Sequence, residues 1–236
     1  MTPSATGILI EVCVACCATA AEALEAGADR LELNSALELD GLTPQTELVR
    51  WVLARSTVPA IAMARPRPGD FCYSPEEWST LLADAERLLA VGATGIAFGV
   101  LTADHQVDVS RCAEMRKLAG DAELVFHKAF DEVRHPEVAL DCLIETGIQR
   151  VMTSGLSATA LEGAAIIGRL IQQSQGRIEI LPAGRITAAN GVDLIARTGC
   201  RQLHGSFGRN PDQTMGDEVR LLKSQLFARQ SRTLPT

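Results

Sequence analysis

The chain has 236 residues, with 22 Lys and Arg against 29 Asp and Glu and a formal charge of −7. That balance excludes a broad cationic surface for nucleic acid or an anionic membrane, so an anionic ligand has to be met by local groups. Seven cysteines, an odd number scattered through mostly apolar segments, suit a reduced cytoplasmic protein better than a disulfide framework.

In chain order, residues 8–14 form an apolar run expected to be a strand, although Glu11 lies inside it. No Lys or Arg precedes that run, which argues against a secretory leader. Residues 19–26 read as a helix ended by Gly27, followed at once by a second strand at 30–34. A helix over 44–55 leads to the strand 60–64, which stops at Arg65-Pro-Arg-Pro-Gly. Each proline holds the arginine before it out of the helical region. A helix at 75–91 has proline in its first turn and Ser74 as cap. Then come a strand at 95–99, a helix at 110–118, a strand at 123–127 and a helix at 136–146. The series closes with strand 150–154, helix 158–173, strand 177–182, a helix capped by Thr187 and running to 197, strand 202–205 and a last helix at 215–229. The stretch 88–101, broken by three glycines, falls short of a membrane span.

Eight strands alternating strictly with eight helices force parallel strands joined by right-handed crossovers. Units of about 30 residues fit a single (β/α)8 TIM barrel, a fold of about 250 residues. A doubly wound sheet would show fewer strands and a glycine-rich first turn; neither GxGxxG nor GxxxxGK(S/T) occurs, and no nucleotide cofactor is expected. One domain is therefore expected over 1–236, with 230–236 as a disordered tail.

In such a barrel the ligand sits at the C-terminal mouth of the strands. Glu11 and Cys13 share one face of the first strand, and Glu32 and Asn34 share one face of the second. Inward carboxylates are costly unless paired, and Arg65 is the expected partner of Glu11 or Glu32. A structural ion-pair network is one outcome; the other is a polar floor, with Arg65 or Arg67 gripping an anionic group. His127 is the best general acid or base by residue type, with Asp131 beside it; Lys128 points to the opposite face. Ser154, Gly184, Arg185, His204 and Ser206 stand at the ends of strands six to eight, where many barrels bind anions. Cys13, Cys16 and Cys17 form a C-x-x-C-C run that could offer soft thiolates, or simply buried small hydrophobes.

Several strings resemble the CutC copper-homeostasis family: Glu11-Val-Cys-Val, Gly27-Ala-Asp-Arg-Leu-Glu-Leu, Gly41-Leu-Thr-Pro, Arg65-Pro-Arg-Pro-Gly-Asp-Phe-Cys-Tyr-Ser, Phe126-His-Lys-Ala-Phe-Asp, Thr153-Ser-Gly and Ala160-Leu-Glu-Gly. The resemblance spans about 8–206 and implies a TIM barrel, a cytoplasmic location, homo-oligomers, Cu(I) handling and one polar pocket at the strand ends. It assigns Cys13 to the proposed copper site; a substitute second thiolate would have to come from Cys16 or Cys17. Asn34 stands where the family's second motif has cysteine, so a dithiolate site cannot form from those two positions. At strand seven, Arg185 replaces a glycine-rich stretch and adds a cation. Two functions follow as expectations. One is copper binding. The other is a lyase or isomerase acting on a small polar or anionic carbonyl or sugar-like substrate, using Glu11, Glu32, Arg65, His127 and Asp131.

Overall fold

The computed structural model describes residues 7–208 and 213–233. Eight strands, β1 (Leu9–Val14), β2 (Arg30–Leu33), β3 (Ala60–Met63), β4 (Gly95–Phe98), β5 (Glu123–Phe126), β6 (Arg150–Thr153), β7 (Glu179–Pro182) and β8 (Gln202–Gly205), form one parallel sheet in the order β7-β6-β5-β4-β3-β2-β1-β8. The helices between and after them are α1 (Cys17–Glu25), α2 (Thr46–Leu53), α3 (Pro75–Ala90), α4 (Val109–Ala119), α5 (Pro136–Glu145), α6 (Ala164–Ser174), α7 (Gly191–Thr198) and α8 (Met215–Thr233). Short 3-10 turns at Leu37–Leu39 and Lys128–Glu132 follow β2 and β5. The expected TIM barrel is what the chain forms.

The helices arise from local chemistry. In α3, Ser74 Oγ accepts the Glu77 N–H at 3.2 Å while the Glu77 carboxylate accepts the Ser74 N–H at 2.8 Å, and Pro75 opens the first turn. Trp78, Leu81, Ala85 and Leu88 then fall on one buried stripe.

Alternation along the strands separates two apolar layers. Ile10, Val12, Val14, Leu31, Leu33, Ala62, Ile96 and Phe98 point outward to the helices, each large side chain stabilising by roughly 1.5–3 kcal/mol on burial. Ile61, Met63, Ala97, Val125, Met152, Leu181 and Ala183 point inward and form a separate cluster inside the barrel. The ring closes between β7 and β8, where among the described residues a single parallel bridge joins Ala183 to His204. Pro182 has no N–H to offer there, and the Gln202 side chain reaches the Ile180 carbonyl at 3.5 Å instead.

Three expectations change. The helix expected over 158–173 begins only at Ala164, because the chain from Ser154 folds back on itself: a Cβ on Gly163 would lie 1.9 Å from the Ser154 carbonyl oxygen. Thr187 does not cap α7; its N–H donates to Asn190 Oδ1 at 2.9 Å, and the helix starts after Asn190. The expected tail is helical as far as Thr233, and 234–236 lie outside the described residues.

Candidate functional site

A cavity of about 860 Å³ opens at the C-terminal ends of the strands. Cys13, Glu32, Asn34, Arg65, His127, Lys128, Asp131, Gly184, Arg185, His204 and Ser206 all line it. Residues from the ends of six strands thus meet in one hollow, as the barrel requires.

Its floor is built on β8, β1 and β2. Glu11 lies opposite Arg30 in the β1–β2 register and opposite His204 in the β1–β8 register. The Arg30 guanidinium pairs with the Glu11 carboxylate, and His204 Nδ1 sits 2.7 Å from its other oxygen. Burial alone would raise the Glu11 carboxyl, but Arg30 and the His204 hydrogen bond outweigh it and hold the group well below the carboxylate range. Arg30 also donates to Gln202 Oε1 at 2.8 Å. The expected Arg65 partnership is therefore replaced by Arg30. Sequence reasoning missed Arg30, although it sits two residues before Glu32 and so shares its inward face.

On the neighbouring strand, Glu32 accepts from Asn34 Nδ2 at 2.9 Å and lies 3.8 Å from His204 Nε2, while its Oε1 has no partner. Burial and the nearby Glu11 raise its carboxyl despite His204. Burial pulls His204 down, but Glu32 and Glu11 together raise it above the ordinary histidine value. Asn34 Nδ2 also donates to Cys13 Sγ at 3.2 Å. Burial, with Glu32 beside it, pushes the Cys13 thiol well up. One ligand atom each from Cys13, Glu32 and His204 lie within 4.8 Å of one another.

The opposite wall comes from β3 and β5. Arg65 Nη1 donates to the Leu39 and Gly41 carbonyls at 2.9 and 3.1 Å, and Nη2 to Gly69 at 3.0 Å. Among the described residues it meets no carboxylate, and its Nε lacks a partner. His127 Nδ1 accepts the Ala129 N–H at 3.1 Å, so the ring proton resides on Nε2, which is also unpartnered. Burial, and then Arg65, depress His127 to about 3, which keeps it neutral. The ring packs onto Gly99, where a Cβ would lie 2.4 Å from His127 Cε1.

Other expected residues sit differently. Arg67 pairs with Glu77, and with Asp70 at 3.0 Å, away from the cavity lining. Asp131 is bound by Thr153 Oγ1, by the Ser154 and Leu156 N–H groups, and by Lys128 at 3.3 Å, so it ties the β6 end to the turn after β5. Ser154 completes that tie through its Oγ at 2.9 Å and does not line the cavity. Lys128 reaches the rim through the 3-10 turn, contrary to strand parity. Cys16 is exposed at the start of α1, its thiol lowered by hydrogen bonding to Thr19, and stands outside the Cys13 cluster. Phe71, unforeseen from sequence, packs against the His127 ring at a tilt and lies beneath the Arg65 guanidinium.

The CutC family profile matches residues 8–209. A CutC family protein of Treponema denticola is 44% identical over 197 residues, covering 84% of this chain and 80% of that protein. The human copper homeostasis protein cutC homolog is 39% identical over 212 residues, covering 90% and 78%. The crystal structure of a Streptococcus agalactiae CutC protein superposes with a TM-score of 0.80 at 27% identity, over 84% of this chain and 98% of that one. A deoxyribose phosphate aldolase from Aeropyrum pernix, with a TM-score of 0.66 at 15% identity over 95% and 93%, shares the fold alone. This chain belongs to the CutC family.

Proposed function

Proceeding from that membership, we propose that the protein binds Cu(I) as cargo at the barrel floor and serves copper homeostasis in a reducing, cytoplasmic setting. The observation that carries the reading is the convergence of Cys13 Sγ, His204 and Glu32 within 4.8 Å. Thiolate and imidazole are donors suited to copper. Glu11 engages His204 through Nδ1 and so leaves Nε2, the nitrogen nearer Glu32, for an ion. Asn34, in place of the family's second thiolate, donates a hydrogen bond to Cys13 Sγ and supports its negative charge. The described cysteines are free, as thiolate chemistry needs. Among the described residues no helix is long and apolar enough to cross a membrane. Assembly into homo-oligomers, implied by the resemblance, belongs to the same reading.

Titrating reduced, metal-free protein with Cu(I) against a competing chelator tests this. One equivalent should bind. Cys13→Ser should weaken it by more than the ~10–100-fold typical of losing an outer hydrogen-bond partner. Asn34→Cys should restore a dithiolate and tighten binding by about tenfold or more. The Cys13 thiol is raised and holds its proton at neutral pH, and His204 is raised in the same direction, so binding displaces protons and affinity should climb with pH. A Cys13→Ser variant that binds Cu(I) like the parent defeats the reading.

A further inference from the structure

Three arginines are buried among the described residues, and two of them meet carboxylates. Arg30 pairs with Glu11, and Arg150 with Glu123 and with Glu179 at 2.9 Å. Arg65, 4% exposed, has no carboxylate of the described residues within ion-pair distance. Three neutral carbonyls hold its terminal nitrogens and leave Nε–H over. A buried cation without a counter-charge is costly, and the cost is relieved when an anion arrives.

A second orphan donor belongs to the same place. His127, 3% exposed, has its Nδ1 occupied by the Ala129 N–H, so its Nε2 is a hydrogen-bond donor with no acceptor. One aromatic ring covers both groups: Phe71, half-buried, lies 5.0 Å from the His127 ring and 5.1 Å from the Arg65 guanidinium carbon. All three residues line the cavity, as do the apolar Met63, Met152 and Ala183.

We infer that the Arg65–His127 end of the cavity binds a small monoanionic carboxylate, its oxygens taking one N–H from Arg65 Nε and one from His127 Nε2, with Phe71 as the cover that turns aside. The single charge of Arg65 beside a neutral imidazole matches a monoanion. Phosphate would need a second cation, but Lys128 already faces Asp131 at 3.3 Å, and Arg185 enters the cavity from the end of β7, two strands beyond β5. The methionine wall suits a short alkyl or keto tail. Because Arg65 spends both Nη groups on loop carbonyls, the grip is one donor from each of two residues rather than a guanidinium fork. This site shares no residue with the Cys13–His204 pair and does not rest on the copper reading.

The probe is sodium pyruvate added to reduced protein in chelator, with pyruvamide as the neutral analogue and inorganic phosphate as the dianion. Calorimetry and the 15N resonances of His127 are the readouts. Pyruvate should bind saturably and shift the His127 Nε2–H signal, whereas pyruvamide and phosphate should bind at least about tenfold more weakly. Arg65 also holds three loop carbonyls, so the His127 variants carry the test. His127→Phe should lose about tenfold or more in pyruvate affinity, His127→Gln, which keeps a side-chain N–H, should recover part of it, and Cys13→Ser should bind pyruvate as the parent does. Unchanged affinity in His127→Phe, no shift at His127, or phosphate binding tighter than pyruvate would each overturn the inference.

Discussion

Two arcs of the same barrel lining follow opposite chemistries. From β3 to β7 the inward residues above the Arg150–Glu123–Glu179 ion pairs, which close the N-terminal ends of β5 to β7, are Ile61, Met63, Ala97, Val125, Met152, Leu181 and Ala183. From β8 through β2 they are Gln202, His204, Glu11, Cys13, Arg30 and Glu32, and all but Cys13 are nearly water-free. The apolar arc stabilises by removing surface from water. The polar arc gains little net stability, because desolvating buried charges costs about what their attraction returns, and well-packed apolar replacements of buried ion pairs are often as stable or more so. A charged arc retained inside a barrel that could be packed with Leu and Ile therefore points to ligand chemistry rather than to folding.

The sharpest way to break this contrast is Arg30→Met, which strands the Glu11 carboxylate in the interior. We expect a loss of about 3–5 kcal/mol at pH 7 by urea unfolding. Without Arg30, burial raises the Glu11 carboxyl, so this penalty should shrink as acid protonates it. On the other arc, Leu181→Ala should cost roughly 3 kcal/mol through lost contact and a residual cavity, with no dependence on pH between 5 and 7. Equal pH profiles for the two variants would erase the distinction between the arcs.

The smallest effect concerns His127. Its folded value of about 3 lies below the unfolded value of 6.5, so the unfolded chain takes up the proton first. The stability this histidine contributes is full above pH 6.5 and is lost as pH falls toward 3, by about 1.4 kcal/mol per unit. Denaturation at pH 7, 6 and 5 should show stability falling more steeply with acid in the parent than in His127→Phe, the gap growing between pH 6 and 5 by about that slope.

Most of the fold was legible because each unit carries its own punctuation. Gly27, Gly147 and Gly199 adopt positive φ where helices give way to strands, and Ser74 caps α3 as its spacing with Glu77 implies. What failed was non-local. Residues 158–163 have good helical composition, but the close approach of Gly163 to the Ser154 carbonyl keeps them in turns. The partner of Glu11 was misassigned because charge complementarity names a sign and not a strand. Register decides it, and register places Arg30 across from Glu11 with β3 one strand farther away. The cavity members were found because strand ends meet at the mouth, while Arg67 and Ser154 left it for reasons of loop geometry that strand parity does not reach.

The seam between β7 and β8 gives the ring a property that a fully laddered barrel lacks. Seven strand junctions are fixed by backbone pairing, but among the described residues this one hangs on a single bridge beside His204 and on the amide of Gln202. The circumference can therefore widen a little by rotating the Gln202 side chain and parting that one bridge, without dismantling any ladder. Cys13, Glu32 and His204 would keep their spacing through such a change, because β2, β1 and β8 move as one paired ribbon. The rim between Ala183 and His204 is the part that gives, so the mouth can change width while the cluster beneath holds its shape.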